Sequence, residues 1–182
     1  DRLKVHLKDE GVRHDVIDAV FALGDDDLVR VTKKARALQD FLSTEGGSAL
    51  LAGYRRAANI LKAEEKKGFD LTAARAEALS KISAEAVKSA SAHGPETAAQ
   101  DETAILVAIA KTAQASEEKA LVSAIEGAEE VAGIALQRED FEGAMKALSS
   151  LRAPVDAFFE AVVVNADDAM LRRNRLLLLS RI

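Results

Sequence analysis

Val155-Asp-Ala-Phe-Phe-Glu-Ala-Val-Val-Val-Asn165, followed by Ala169-Met-Leu-Arg-Arg-Asn-Arg-Leu-Leu-Leu-Leu179, decides the reading of this chain. Val155, Phe158, Phe159, Val162 and Val163 recur at the three- and four-residue spacing that lines one side of a helix. The second segment is apolar along one side and carries three arginines and an asparagine within four positions, Arg172 to Arg175. Asp167 and Asp168 stand where a carboxylate can cap its first turn and complement the helix dipole. Arginines displayed from a capped helix suit a polyanion partner, so these two segments argue for an all-α chain and a charged surface at once.

The rest of the composition agrees. Only two prolines occur among 182 residues, aromatics make up 4%, and Ala, Leu, Glu, Lys and Arg are abundant. These side chains lose little entropy in a helix. A chain of this length can bury a core as one domain over residues 1–182 without disulfides or metals. Cysteine is absent, which excludes thiolate nucleophiles, disulfides and thiolate metal sites and is compatible with a cytoplasmic location. No apolar run approaches the ~20 residues that span a bilayer, so no membrane partner is expected. Asp1-Arg-Leu-Lys-Val-His-Leu-Lys8 lacks the apolar stretch of a signal peptide and an initiator methionine, and reads as the start of an excised fragment. The net charge of −5 argues against binding DNA or RNA over the whole surface and requires any RNA contact to come from local basic patches.

Along the chain, Leu3 and Leu7 open a short helix that Gly11 can stop, and Val16, Ile17, Val20 and Phe21 form a second that Gly24 ends. Asp25, Asp26 and Asp27 give a charged start to a third, with Leu28, Val31, Ala35, Leu38 and Leu42 on one face. Gly46-Gly47 is expected to break it and Ser48 to cap a fourth, whose inward stripe is Leu50, Tyr54, Ala57 and Leu61 until Lys66-Lys67-Gly68 closes it. Between residues 72 and 115 the apolar anchors thin to Leu79 and Ile82, and His93-Gly94-Pro95 interrupts the pattern, so this stretch is expected to be a helical insertion or mobile arm. Ile105, Leu106 and Ile109 restore an apolar face. Ser116 is expected to cap a long helix carrying Leu121, Ile125, Ala128 and Ala132, and Asp140 to cap one carrying Phe141, Ala144, Leu148 and Leu151. Pro154 fits the first turn of the next.

Catalytic chemistry is hard to find. His14-Asp15 is half of a metal phosphohydrolase's ligand set, but only His6 and His93 remain to complete it, and a helix-start aspartate accounts for Asp15. Gly46-Gly47-Ser48 lacks the lysine of a phosphate-cradling loop. The acidic runs Asp25 to Asp27, Glu64-Glu65 and Glu129-Glu130 are expected on solvent faces or helix starts, and nothing joins them as an acid–base pair. No catalytic residue, metal ligand or cofactor site is assigned within these 182 residues.

Two basic constellations remain. Within Leu50-Leu-Ala-Gly-Tyr-Arg-Arg-Ala-Ala-Asn-Ile-Leu-Lys62, helical spacing puts Arg55, Asn59, Lys62 and Lys66 along one exposed stripe, with Arg56 beside it. The stripe can follow a phosphate backbone, Asn59 can bond a base edge, and a partly exposed Tyr54 can stack on an unpaired base. Against this, Tyr54 can be core, and Arg55 and Lys62 can pair with nearby glutamates. In the second constellation Arg172, Arg173 and Arg175 serve either a polyanion or packing, while Asn174 turns toward the face of Leu171 and Leu178 and ties the helix to a neighbour. Lys33, Lys34 and Arg36 read as a solvated face.

Five stretches resemble the C-terminal part of the bacterial glycyl-tRNA synthetase β subunit: Asp1-Arg-Leu-Lys-Val, Gly11-Val-Arg-His-Asp15 with Ile17-Asp-Ala-Val20, Gly53-Tyr-Arg-Arg-Ala-Ala-Asn-Ile-Leu61, Leu151-Arg-Ala-Pro-Val-Asp-Ala-Phe-Phe159 and Leu171-Arg-Arg-Asn-Arg-Leu176. They stand in the family's order over residues 1–67 and 140–182. Residues 72–115 do not take part, and the chain stops a little before the family's expected end. The resemblance implies a helical bundle of the anticodon-binding type named for an Asp-Ala-Leu-Arg signature. Asp168-Ala-Met-Leu-Arg172 carries an extra Met170 in that signature, which leaves the register of the helix start open.

By the same resemblance, the chain serves glycine attachment to tRNA(Gly) as a recognition arm of an ATP-dependent ligase. Its partners are tRNA(Gly) and an α subunit in a heterotetramer, and ATP and magnesium belong to that α subunit. Tyr54, Arg55, Arg56, Asn59, Lys62, Arg172, Arg173 and Arg175 are the residues assigned to RNA. The rival from the residues alone is a non-catalytic helical module whose faces dock another protein or assemble a subunit.

Overall fold

Helix ends in this chain are set by a few side chains whose positions explain the element order. The computed structural model describes residues 2–89 and 98–182, with side chains placed over residues 2–80 and 104–182. The described residues form α1 (Arg2–Asp9), α2 (His14–Ala22), α3 (Leu28–Ser43), α4 (Glu45–Glu65), α5 (Leu71–Ser89), α6 (Ala98–Thr112), α7 (Ser116–Gln137), α8 (Phe141–Ser149), α9 (Arg152–Ala161) and α10 (Ala169–Leu179). No strand occurs among them, and the chain is all-α as its composition predicts. None of these helices is long and apolar enough to cross a membrane. His93-Gly94-Pro95 lie outside the described residues; on either side of them the 72–115 stretch forms α5 and α6.

Most of the expected caps are present. Asp27 accepts from the amides of Val29 and Arg30 at the start of α3, Asp140 from Gly143 at the start of α8, and Asp168 from Met170 and Leu171 at the start of α10. The last of these fixes the register left open at Met170: Asp168 is the cap, and Met170 is exposed. Gly68, with φ of +97°, ends α4 by letting the amides of Gly68 and Phe69 bond back to Glu65 and Glu64.

Two caps differ from expectation. The break between α3 and α4 falls at Thr44, whose hydroxyl accepts from the amide of Gly47 at 2.9 Å, so Gly46 and Gly47 lie inside the first turn of α4 and Ser48 is not its cap. A Cβ on Gly47 would run into the carbonyl of Phe41, which is why glycine sits there. At α7 the amides of Gln114 and Ala115 donate to Glu118, at 2.8 and 2.9 Å, where Ser116 was expected to act. A glutamate three residues into a helix reaches back to orphan donors that a serine hydroxyl at the start does not reach.

The helices fall into two compact units, residues 1–52 with 127–152 and residues 53–126 with 153–182. In the first, α2 packs on α1 and α3, and α3 packs on α8. Leu7, Val12, Val16, Ile17, Val20, Val31 and Ala35 form its buried cluster. Its basic run is not a free solvated face. Lys34 pairs with Asp25 at 2.7 Å beside Arg30, Arg36 bonds Glu10, and Lys33 lies 4.0 Å from Glu139. Arg30 and Lys34 together hold the Asp25 carboxyl far below the usual carboxylate range.

In the second unit, α10 packs on α5 and α6, which pack on each other. Leu176, Leu177, Leu178 and Leu179 are all buried, as are Ile105, Leu106 and Ile109 of α6 and Leu121 and Ile125 of α7. Four consecutive buried leucines exceed one helical stripe, so α10 is surrounded on most sides at its C-terminal end. Val155, Phe158, Phe159 and Val162 face inward as predicted, whereas Val163 is exposed.

Candidate nucleic-acid interface

The inward stripe of α4 within the second unit is Gly53, Ala57, Ile60 and Glu64, with Gly53, Ala57 and Glu64 buried and Ile60 half-buried. The small residues mark a close helix approach. A Cβ placed on Gly53 would lie 2.7 Å from a methyl of Val155, so α9 crosses α4 where glycine leaves room for it. This displaces the stripe expected from Leu50, Tyr54, Ala57 and Leu61 by about one residue. Tyr54 leaves the core, and its side chain is 53% exposed.

Opposite the buried stripe stand Arg55, Asn59, Lys62 and Lys66, all exposed. Their i, i+4, i+7, i+11 spacing aligns them over about 16 Å of helix. Among the described residues none of the three cations makes an ion pair, so the pairing that would have neutralised Arg55 and Lys62 does not occur. Tyr54 flanks the stripe on one side. On the other, the Arg56 guanidinium lies 4.3 Å from the centre of the Phe159 ring, a cation–π contact that fixes its stem and leaves its exposed edge free to donate. Phe159 is itself held edge-to-face against Phe158, their centroids 5.5 Å apart.

The arginines of α10 are placed differently. Arg172 pairs with Glu64 of α4, Arg173 with Glu77 of α5 and Arg175 with Glu118 of α7. One short run of arginines thus joins α10 to three other helices. Arg175 also donates to the carbonyl of Val163 at 2.7 Å, and Asn174 donates to the Thr112 hydroxyl at 2.7 Å, tying α10 to α6 as its orientation predicted. Of the two uses the sequence left open for Arg172, Arg173 and Arg175, these contacts are the packing one. Their carboxylate partners were the residues sequence reasoning missed. Glu64 was expected in solvent and is 5% exposed; Glu118 is 2% exposed. The signal for Glu64 was its place eleven residues after Gly53 on the inward stripe, and for Glu118 its place three residues after Ala115.

Their partners perturb both acids. Arg172, and with it Lys67 at 2.8 Å, holds the Glu64 carboxyl below its usual range. For Glu118, burial pushes the carboxyl up, and Arg175 with the two capping amides outweighs it, so the net shift is downward. Because both folded values lie below the unfolded glutamate value of about 4.3, the stability they contribute is present above that pH and is lost as pH falls through the folded values. Urea midpoints measured from pH 6 to pH 3 are expected to fall, and to fall less steeply in Glu118→Gln, which cannot titrate.

His14 pairs with Asp18 at 2.9 Å and Asp15 with Arg13 at 2.5 Å, both exposed helix-start arrangements. No group of three or more His, Cys, Asp or Glu side chains able to hold a metal occurs among the described residues.

The described residues thus form an all-α helical fold that carries, beside an exposed tyrosine, a basic stripe without ion-pair partners among them. Comparison with known proteins specifies the kind: residues 50–182 match the DALR anticodon binding domain, and the chain belongs to that family. Over its whole length it is also similar to proteins named glycine–tRNA ligase beta subunit. It is 46% identical over 182 residues to that of Phenylobacterium zucineum, 45% over 184 to that of Cereibacter sphaeroides and 46% over 183 to that of Rhodospirillum centenum. In each case 100% of this chain is covered, but only 21–22% of the relative, so the chain spans about a fifth of the proteins it matches.

Proposed function

We propose that this chain binds the anticodon region of tRNA(Gly) as part of a glycyl-tRNA synthetase β subunit, in support of glycine attachment catalysed by an α subunit that supplies the ATP and magnesium chemistry. Similarity along the full chain to glycine–tRNA ligase beta subunits supports the assignment to that enzyme. The observation that carries the binding reading is the α4 stripe, where Arg55, Lys62 and Lys66 remain without carboxylate partners among the described residues while the α10 arginines are engaged. Cations left unpaired on a net acidic chain are the ones available to phosphate oxygens. Arg55, Lys62 and Lys66 then hold the backbone of the anticodon stem, Asn59 bonds a base edge, and Tyr54 stacks on an unpaired base, with Arg56 presented from the Phe159 ring. Arg172, Arg173 and Arg175 act chiefly by holding α10 in place. Holding the anticodon contributes to the reaction by positioning the far acceptor end.

Titration of the chain with a tRNA(Gly) anticodon stem-loop at several salt concentrations tests this. Each charged hydrogen bond is worth about 1.5–3 kcal/mol, so Arg55→Ala/Lys62→Ala is expected to weaken binding at least about tenfold. It should also reduce the slope of log affinity against log salt by roughly two counterions. Unchanged affinity and slope in the double variant would refute the stripe as the phosphate contact.

A further inference from the structure

Beside the stripe, in the same unit, the end of α4, the start of α5 and the first turns of α10 line an open recess of about 460 Å³. This is within the size range of small-molecule and nucleotide sites. Lys67, Arg172 and Arg173 reach it as donors. Four carboxylates, Glu64, Asp70, Glu77 and Asp167, also line it, so its cations are more than matched. That balance is wrong for a phosphate, which would meet as much repulsion as attraction. It is right for an uncharged ligand whose edge carries both acceptors and donors. Glu64 is spent on Arg172 and Lys67, but Glu77 is half exposed beside Arg173, so one ion pair presents a donor and an acceptor side by side. The half-buried Phe69 adds apolar surface to the wall, and the Nε of Arg173 is enclosed without an acceptor.

We propose that this recess receives one unstacked nucleobase of the bound RNA, stacked against Phe69 and read along its edge by the Arg173–Glu77 pair. The inference rests on the anticodon-binding reading and adds to it a base-reading site separate from the phosphate-holding stripe on α4. Splayed loop bases are recognised by this combination of an aromatic face and paired donor and acceptor groups.

The test is a set of anticodon stem-loops, each lacking the base at one loop position, titrated against the unsubstituted chain, Phe69→Ala and Glu77→Gln. Glu77 is exposed enough that its amide variant preserves the fold, which a circular dichroism melt checks. Loss of one particular base is expected to weaken binding to the unsubstituted chain about tenfold, the scale of one stacked base. Phe69→Ala is expected to show the same loss with the intact loop and no further loss with that abasic loop, and Glu77→Gln a smaller loss with the same lack of additivity. Neither variant should change the salt slope. Additive losses at every loop position, or a reduced salt slope in either variant, would overturn the base site while leaving the stripe intact. Failure of the unsubstituted chain to bind any loop would overturn both readings.

Discussion

Glu118→Ala is expected to destabilise the chain by about 3–5 kcal/mol, the range seen when one partner of a buried ion pair is removed. Glu118 is 2% exposed and does three things at once: it neutralises Arg175, whose side chain is itself 11% exposed, and it accepts from the amides of Gln114 and Ala115 just before α7. Alanine leaves a buried guanidinium without its counter-charge and two orphan donors. Replacing the whole pair, as Glu118→Leu/Arg175→Met, is expected to cost less than Glu118→Ala alone, because apolar side chains of similar size bring no desolvation penalty. Urea unfolding of the three variants measures this. A loss below about 1 kcal/mol for Glu118→Ala would mean that the pair is solvated and does not join α10 to α7.

Phe158→Ala is expected to be as damaging, at about 3–5 kcal/mol, the usual cost of truncating a fully buried aromatic. Phe158 is 0% exposed and its ring supports Phe159 edge-to-face. Phe159→Leu separates packing from presentation. Leucine keeps the site apolar and fills more of it than alanine would, so it costs less than full truncation, yet it removes the face on which Arg56 rests. The expected result is a chain that melts close to the unsubstituted one and binds the anticodon stem-loop more weakly. Equal affinity would show that Arg56 needs no aromatic support to reach RNA. Thermal melts and titrations on the same samples distinguish the outcomes.

How much of this could be read from sequence depended on what each residue's job requires. Apolar periodicity located every helix that packs through a wide stripe, and Asp27, Asp140, Pro154 and Asp168 marked starts because capping is a local interaction of a few residues. Thr44 and Glu118 took the places given to Ser48 and Ser116 because several residues near each junction could cap it, and the choice lies in backbone geometry. The inward face of α4 differs from its apolar pattern for another reason. Large side chains read as core, whereas Gly53 and Ala57 are inward because α9 comes close, and Tyr54 stands on the flank.

Charge was the least legible property. Arg55 and Arg172 look alike in sequence, each beside a second arginine on a helix with acids not far away. A long guanidinium stem can serve solvent or a buried carboxylate, and which it does depends on residues distant along the chain. Glu64 lies over a hundred residues from Arg172, and Glu118 more than fifty from Arg175. The resemblance to anticodon-binding domains pointed to the correct family, but it could not separate arginines that hold the unit together from cations left for a ligand. The structure gives the α10 arginines carboxylate partners and, among the described residues, gives none to the cations of the α4 stripe.

The most direct test of anticodon recognition is titration of the chain with two full tRNA(Gly) transcripts that differ only in the anticodon, at low and moderate salt. Tighter binding to the unaltered transcript at both concentrations, with both affinities falling as salt rises, is the predicted result. Equal affinity for the two transcripts would contradict recognition of the anticodon and leave only a phosphate-holding surface, and no binding at low salt would assign these helices to protein docking.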